Sequence, residues 1–455
     1  MIPTTAAFAA AAAQKGLQPV CVLDLPTLGL RWATAAGQPG LALTGAYMQM
    51  PDGMSQAIDD LKGTSTLGTL AITISDVGQT LLPLFATKVW YGARANLLVG
   101  FRGLAFPTDY IQPFSGIIST VVPTPDRGGW IFTIVDRKRT LRTQAYGTGG
   151  NGLTPTSSTN PRTLDGNPMD LVTQLLEGEL GISPSDIDTG SIAALRNGRL
   201  ASARMLFSLT KVVDALSFME TELLLPLGLF HFVRYDGRLA IGDVLDAPSP
   251  VTSAFAFTDS NTQQTPTIQQ RTIYNSVLAN LDYDGAKYLY SDLFEDVDSL
   301  TKYGLQQQLT ISSQGLRTNL QGASRAGITA RRIFLRYANG PARLIALTCS
   351  TLAACTVEVG DYTGVTSAKL EDLDAGTRGW ANKPCLAVSV QPHWAQGTVD
   401  LTLLDVSSTI RQAYQFAPNT QPSWPTATLG ERQQYLFMAN NASQQSDGTP
   451  AAGVF

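Results

Sequence analysis

In the stretch TLAITIS, Leu70, Ile72 and Ile74 take every second position, and GWIFTIVDR repeats the pattern with Trp130, Phe132 and Ile134. A period of two sends these apolar side chains to one face of an extended strand, so such a chain must fold as sheets with a buried side. FSGIISTVV and GWIFTIVDR flank the turn-rich PTPDRGG, which predicts neighbouring antiparallel strands. Residues 18–145 therefore read as a β-sandwich or barrel. Further on, Asp236-Gly237 and Asp284-Gly285 each lie between two apolar runs, and Asp-Gly suits the left-handed backbone of a tight hairpin turn. Near the C-terminus ARLIALTC, CTVEVGD, PCLAVSVQP and TVDLTLLDV form a second series of short alternating strands.

Helical spacing separates the two β regions. Asn167 and Pro168 suit the cap and first position of a helix whose Leu171, Val172, Leu175 and Leu176 share a face. A second, short helix is expected around Ile192 and Leu195; a third carries Val212, Leu216, Met219 and Leu223 and stops before Pro226. The start, MIPTTAAFAAAAAQKG, reads as an N-terminal helix, because its apolar core lacks the preceding positive charge of a signal peptide. Residues 145–168 read as a linker rich in Gly, Thr, Ser and Pro. Its Gly147, Gly149 and Gly152 spell a formal G-x-G-x-x-G, but Pro155 and Pro161 follow where a phosphate-binding helix must begin, so the match is chance.

The fold class is thus mainly β with a helical segment: a multidomain chain with two β-barrel or sandwich-like domains separated by a helical insertion. The expected divisions are 1–145 (N-terminal β domain), 146–225 (linker and helices), 226–330 (hairpin-rich), 331–415 (C-terminal β domain) and 416–455 (extended arm). The arm is rich in Gln, Asn, Ser and Pro and cannot build a core, so its spaced Trp424, Tyr435 and Phe437 are expected to anchor it on a partner.

Roughly two to four domains fit within 455 residues. Only 15% of them are charged, well below the usual quarter, and the net charge of −4 comes with no long basic run. Sequence-reading nucleic-acid binding is not expected of such a chain. A surface so poor in charge suits a protein covered by neighbours. Apolar stretches approaching membrane-spanning length are broken, as Pro226 and His231 break the run from Leu223 to Val233. Four cysteines in so long a chain do not make a disulfide scaffold and fit a reducing site of synthesis.

Residues able to carry chemistry are few. The only two histidines, His231 and His393, lie in or beside apolar strand patterns, which leaves no two-histidine metal face. No G-x-S-x-G elbow and no Walker lysine motif occur. Cys349, Cys355 and Cys385 fall in the C-terminal β region with spacings that match no common zinc or iron–sulfur knuckle; they read as buried core thiols. Asp292, Glu295, Asp296 and Asp298 crowd one segment, LYSDLFEDVDSLTKYG. Glycosidase carboxylates face each other from separate elements, and a calcium loop needs a glycine at its turn and a distal glutamate. The segment therefore reads as a solvated connection leaving a hairpin. No cofactor and no catalytic residue are expected.

Several stretches, in order, carry a resemblance. They are ITISDVGQTLLPLFATKVWYG, PFSGIISTVVPTPDRGGWIFTIVDRKRTL, GNPMDLVTQLLEGELGISPSDIDTGS, LFHFVRYDGRLAIGDV, NSVLANLDYDG, DVDSLTKYGLQQQLTISSQGLRT, VEVGDYTGVTS and LAVSVQPHWAQGTVDLTLLDV. Together the chain resembles the baseplate hub (tail-tip) proteins of long-tailed, non-contractile bacteriophages and related gene-transfer particles. That resemblance implies a structural virion protein at the tail tip, assembled in the host cytoplasm. It also implies two tube-docking β domains per chain and a homotrimer joining the tail tube and distal tail ring to the tip. Expected partners are distal tail, tail tube, tape-measure and central fibre proteins, with DNA passing through the channel without sequence-specific binding. On the same reading the acidic segment is expected at a domain junction, and host-wall digestion, the work of the lysozyme or peptidase extension that some tail-tip proteins carry, is not expected of this chain. The alternatives are a distal tail protein, which forms a hexameric ring, and a tail-associated carbohydrate-binding or hydrolysing protein.

Overall fold

Eight strands follow the N-terminal helix: β1 (Pro19–Leu25), β2 (Leu30–Ala33), β3 (Tyr47–Met48), β4 (Asp52–Ala57), β5 (Thr69–Ser75), β6 (Arg94–Phe101), β7 (Ile111–Pro123) and β8 (Gly129–Val135). Seven of them close a barrel in the order β5, β3, β2, β1, β6, β7, β8, with β8 returning to β5. The closing pair carries the two sequence alternations face to face: Leu70 opposite Ile134, Ile72 opposite Phe132 and Ile74 opposite Trp130. Phe132 is fully buried, with its ring 5.6 Å from Trp32 and 5.5 Å from Trp90. Burying a side chain of this size is worth about 1.5–3 kcal/mol. The expected β7–β8 pairing is present, with Ile118 opposite Ile134. So is the N-terminal helix, Ala6–Ala12, whose Thr5 cap accepts from the Phe8 N–H and whose Phe8 ring lies 5.3 Å from Phe101 of β6.

The computed structural model describes residues 1–14, 18–44, 47–59, 64–66, 68–147, 161–245, 251–270, 273–337, 342–372 and 376–407, and the backbone of 415–416 and 435–436. One unit holds Met1–Leu245 with Thr252–Thr409; a second holds Asp246–Val251 with Ile410–Phe455. The fold is mainly β, as expected, with 41% strand and 23% helix.

A second β domain repeats the barrel's strand order. Strands Arg343–Cys349, Thr398–Asp405, Thr377–His393 and Tyr362–Asp372 lie side by side and antiparallel, as β5, β8, β7 and β6 do. The register repeats too. Arg94 stands opposite Ile117 and Ala95 opposite Gly116; Tyr362 stands opposite Leu386 and Thr363 opposite Cys385. A bulge interrupts β7 between Ile118 and Thr120, and its counterpart between Ala387 and Ser389. TLAITIS of β5 therefore superposes in register on LIALTCS (344–350), and FTIVD (132–136) on LTLLD (401–405). Each unit links its first two strands through a short helical turn, Leu82–Thr87 in one and Leu352–Thr356 in the other. Among the described residues the second domain does not close; it ends at Thr267–Gln270 on one side and Ala256–Thr258 on the other.

β4 joins the two domains into one 14-stranded sheet. One of its edges pairs with β5, and the other meets the long strand of the second domain, Gln56 opposite Val390 and Ala57 opposite Ser389. Far apart in sequence, the domains are thus edge to edge in space.

Between them lies the helical segment, whose core gathers Met169, Val172, Leu175, Phe207, Met219 and Leu223. Asn167 caps its first helix by accepting from the Met169 N–H at 2.9 Å, with Pro168 at the first position, as expected. The second helix runs Thr189–Asn197. The third starts at Ala215, later than Val212, because Val213–Asp214 pairs with Gln144–Ala145. It ends in a turn that includes Pro226 instead of stopping before it. Two other expectations change. Arg162–Gly166, read as linker, pairs with Met205–Leu209. CTVEVGD is not a strand: Leu352–Thr356 is a helical turn, and Val357 and Val359 are buried without joining a ladder. Gly149, Gly152 and Pro155 lie outside the described residues.

Candidate functional site: assembly surfaces of two β domains

The Asp236-Gly237 hairpin, formed as expected by Leu229–Val233 and Leu239–Asp243, is the wedge between domains. A side chain at Gly237 would meet the Ser115 hydroxyl of β7 at 2.9 Å, and its φ of 83° favours glycine in any case. Gln112 Nε2 donates to the Tyr235 carbonyl at 3.1 Å, and Arg94 to that of Asp236 at 3.2 Å. On the other side the Tyr235 N–H donates to Glu358 at 2.8 Å. Arg234 lies 2.5 Å from Asp188 of the helical segment and 3.8 Å from Glu358 of the second domain. Burial acts to raise the Asp188 carboxyl, but the hydrogen bond and charge of Arg234 hold it below its ordinary value. Burial dominates at Glu358 and pushes it up. Sequence reading missed this junction: its members are distant in the chain, and only the Asp-Gly turn announced it.

The connection between β5 and β6 is the most apolar exposed segment of the barrel. Val77, Val89 and Tyr91 are 87%, 79% and 70% exposed, and the helix Leu82–Thr87 buries none of its residues. Leu81 and Trp90 of this connection are buried, and Phe85 leans inward with its ring 4.2 Å from Trp130 and 4.8 Å from Trp90. Its counterpart in the second domain is covered: Leu352, Ala354, Cys355 and Thr356 are buried, and the Ile2 N–H donates to the Thr356 carbonyl at 2.8 Å.

The acidic segment, expected as a solvated connection, is instead the end of a strand and the start of a helix. Tyr288–Glu295 is the edge strand of a three-stranded sheet, paired with Ser276–Tyr283 through the expected Asp284-Gly285 hairpin. Asp296 then caps the helix Val297–Tyr303, accepting from the Ser299 N–H at 3.1 Å, and Glu295 accepts from Gln306 at 2.9 Å. Both carboxylates are thus held by groups next to them in the sheet and helix.

The remaining reactive groups are dispersed. His231 is buried, its Nδ1 3.6 Å from Glu220, which pairs with the buried Lys138 at 3.0 Å. His393 pairs with Asp400 at 3.0 Å. Cys21, Cys349, Cys355 and Cys385 are buried free thiols. Among the described residues no group of His, Cys, Asp and Glu could hold a metal ion, and no helix is long and apolar enough to cross a membrane. A groove of about 280 Å³ on the second domain is lined by Thr267, Thr348, Ser389, Gln391, Asp400 and Thr402 among others, with no aromatic ring for a sugar to stack on. Of the arm residues, Trp424 and Phe437 lie outside the described residues. The backbone of Tyr435 pairs with Gln415.

No family model matches the chain, and no curated protein matches it in sequence. Among solved structures, a tail protein from Neisseria meningitidis MC58 is similar over 87% of this chain and 100% of that one, at 10% identity and a TM-score of 0.46. The 43 kDa tail protein of prophage MuSo2 from Shewanella oneidensis is similar over 86% and 99%, at 11% identity and 0.45. Prophage tail protein gp18 from Listeria monocytogenes EGD-e is similar over 85% and 94%, at 13% identity and 0.43. Likeness this distant assigns no activity to this chain.

Proposed function

We propose that this chain is a structural component of a bacteriophage tail, a baseplate hub whose three copies form a ring between the tail tube and distal tail ring above and the tip below. The observation that carries the reading is the doubled β unit, since one chain presents two domains of the same strand order and register, already joined edge to edge. Three such chains offer six equivalent units around a channel, which matches sixfold symmetry on one side and threefold on the other. The ordered sequence resemblance supports the same reading, as does a surface with few charges. In it, residues 1–145 and 331–415, the latter with the edge strands Ala256–Thr258 and Thr267–Gln270, dock on the tube, the rest of 146–330 forms the body between them, and residues 416–455, with Trp424, Tyr435 and Phe437, reach a neighbour. The protein acts in the virion without catalysis, and DNA leaves through a channel lined mainly by neutral or acidic side chains. Native mass measurement and particle reconstruction test this. A trimer at the tail tip is expected; a hexamer moves the assignment to a distal tail protein, and a monomer within the particle ends it.

A further inference from the structure

The internal repeat identifies where copies join. Within one chain the domains meet through β4, which pairs with β5 on one edge and uses the other to pair with the long strand of the second domain at Ser389–Val390. In the second domain the strand that stands beside Arg343–Cys349 as β4 stands beside β5 is Thr267–Gln270. Asp52 faces Ala71, and Thr267 faces Ala346, the counterpart of Ala71. The inner edge of Thr267–Gln270 is paired, but its outer edge meets no described strand. The acceptor repeats as well. With the two bulges aligned, Ser389 and Val390 correspond to Thr120 and Val121 of β7, since Thr120 faces Thr133 as Ser389 faces Thr402. On its other side β7 pairs with β6 only as far as Ile117, and the Ile118 backbone meets Ala93 and Gly92. Beyond that, Thr120–Pro123 meet no described strand on this side, and Val122 is 47% exposed.

We propose that Thr267–Gln270 of one copy adds antiparallel to the free edge of β7 in a second copy, placing Gln270 opposite Val121 as Gln56 is opposite Val390 within the chain. The partner is another copy of this chain because donor and acceptor are the two unused halves of a contact the chain already makes once. A second asymmetry agrees. The helical turn Leu352–Thr356 is buried, with the chain's own N-terminal segment against it, whereas its counterpart in the barrel, with Leu82, Val89 and Tyr91, is bare. The proposed contact brings a second domain up to that bare segment. Both free edges are short or twisted by a bulge, features that limit promiscuous strand pairing. The contact is head to tail, so repetition closes a ring or runs on as a fibre; closure at three rests on the ring reading above.

Disulfide trapping tests the contact in the full chain. Opposed residues of antiparallel strands have Cα atoms about 4.5–5.5 Å apart, inside the roughly 4.4–6.8 Å that a disulfide spans. Gln270→Cys combined with Val121→Cys should give, on mild oxidation, a reducible covalent ladder ending at the ring. Each single variant should give none, because the four native thiols are buried. Mixing the two single variants should trap dimers and nothing larger. In parallel, Val122→Lys should weaken self-association by about tenfold while leaving the thermal midpoint of the chain unchanged. A trimer by native mass that shows no Gln270–Val121 cross-link and tolerates Val122→Lys overturns this contact and leaves the ring reading intact. A chain monomeric at all concentrations overturns both.

Discussion

Ile72 stands directly opposite Phe132 on the strands that close the barrel, and Leu347 and Leu401 hold the same relationship in the second domain. Phe132 and Leu401 are both buried, so truncating either leaves a cavity that rigid neighbouring strands cannot fill. Phe132→Ala should cost about 3–5 kcal/mol and Leu401→Ala about 2–5 kcal/mol. Urea unfolding midpoints measure both. A loss well under that range at either position would show that its register is misplaced.

The acidic segment separates into one structural carboxylate and its neighbours. Asp296 satisfies the Ser299 N–H at the start of its helix, and replacing a capping Asp by Ala typically costs about 0.5–2 kcal/mol. Asp298, two residues further on in the first turn, is exposed, and Asp298→Ala should change stability by less than about 0.5 kcal/mol. Comparing the two unfolding midpoints checks the assignment, and equal losses would contradict it.

Much of the β architecture was legible because burial writes itself into a strand at every second residue. Leu70, Ile72, Ile74, Phe132 and Ile134 are buried in the register their spacing implies. The repeat was not legible. In its paired strands TLAITIS and LIALTCS share only Ala, Thr and Ser at matching places, since pleat and backbone hydrogen bonds need apolar alternation and not identity. CTVEVGD misled for the same reason: Val357 and Val359 are buried by packing beside a turn, a pattern identical to a strand's. The junction of Arg234, Asp188 and Glu358 could not be seen, because no local pattern records which distant carboxylates a hairpin tip will meet.

The thiols should be chemically silent. Burial raises Cys21, Cys349, Cys355 and Cys385 above the ordinary thiol range, with Cys355 adding to the shift at Cys21 and Asp405 at Cys385. The thiolate is the reactive form, so a thiol reagent at about pH 8 should label none of the four in the native protein and all of them in denaturant. Rapid native labelling would place at least one at the surface. Stoichiometric iron or zinc in anaerobically purified protein would make them ligand candidates after all.

The last prediction concerns His231 and acid. Burial, with the charge of Lys138 nearby, lowers it from 6.5 to about 3 in the folded chain. Unfolding lets the ring take up a proton, so between those values the unfolded state binds more protons and stability falls as the pH drops. The slope approaches about 1.4 kcal/mol per pH unit. Asp136 opposes this. Burial, only partly offset by the N–H groups of Gly68 and Lys138, raises its carboxyl from 3.8 to about 6. In that window the folded state binds more protons, and stability rises as the pH falls through about 6 towards 3.8. The two contributions nearly cancel in the native protein over their common range. His231→Leu removes only the first, so its stability relative to wild type should improve steadily as the pH is lowered from about 7 to about 4. Urea midpoints at several pH values measure the difference. A pH-independent difference would mean that His231 keeps an ordinary proton affinity in the fold and that the Lys138–Glu220–His231 cluster is hydrated.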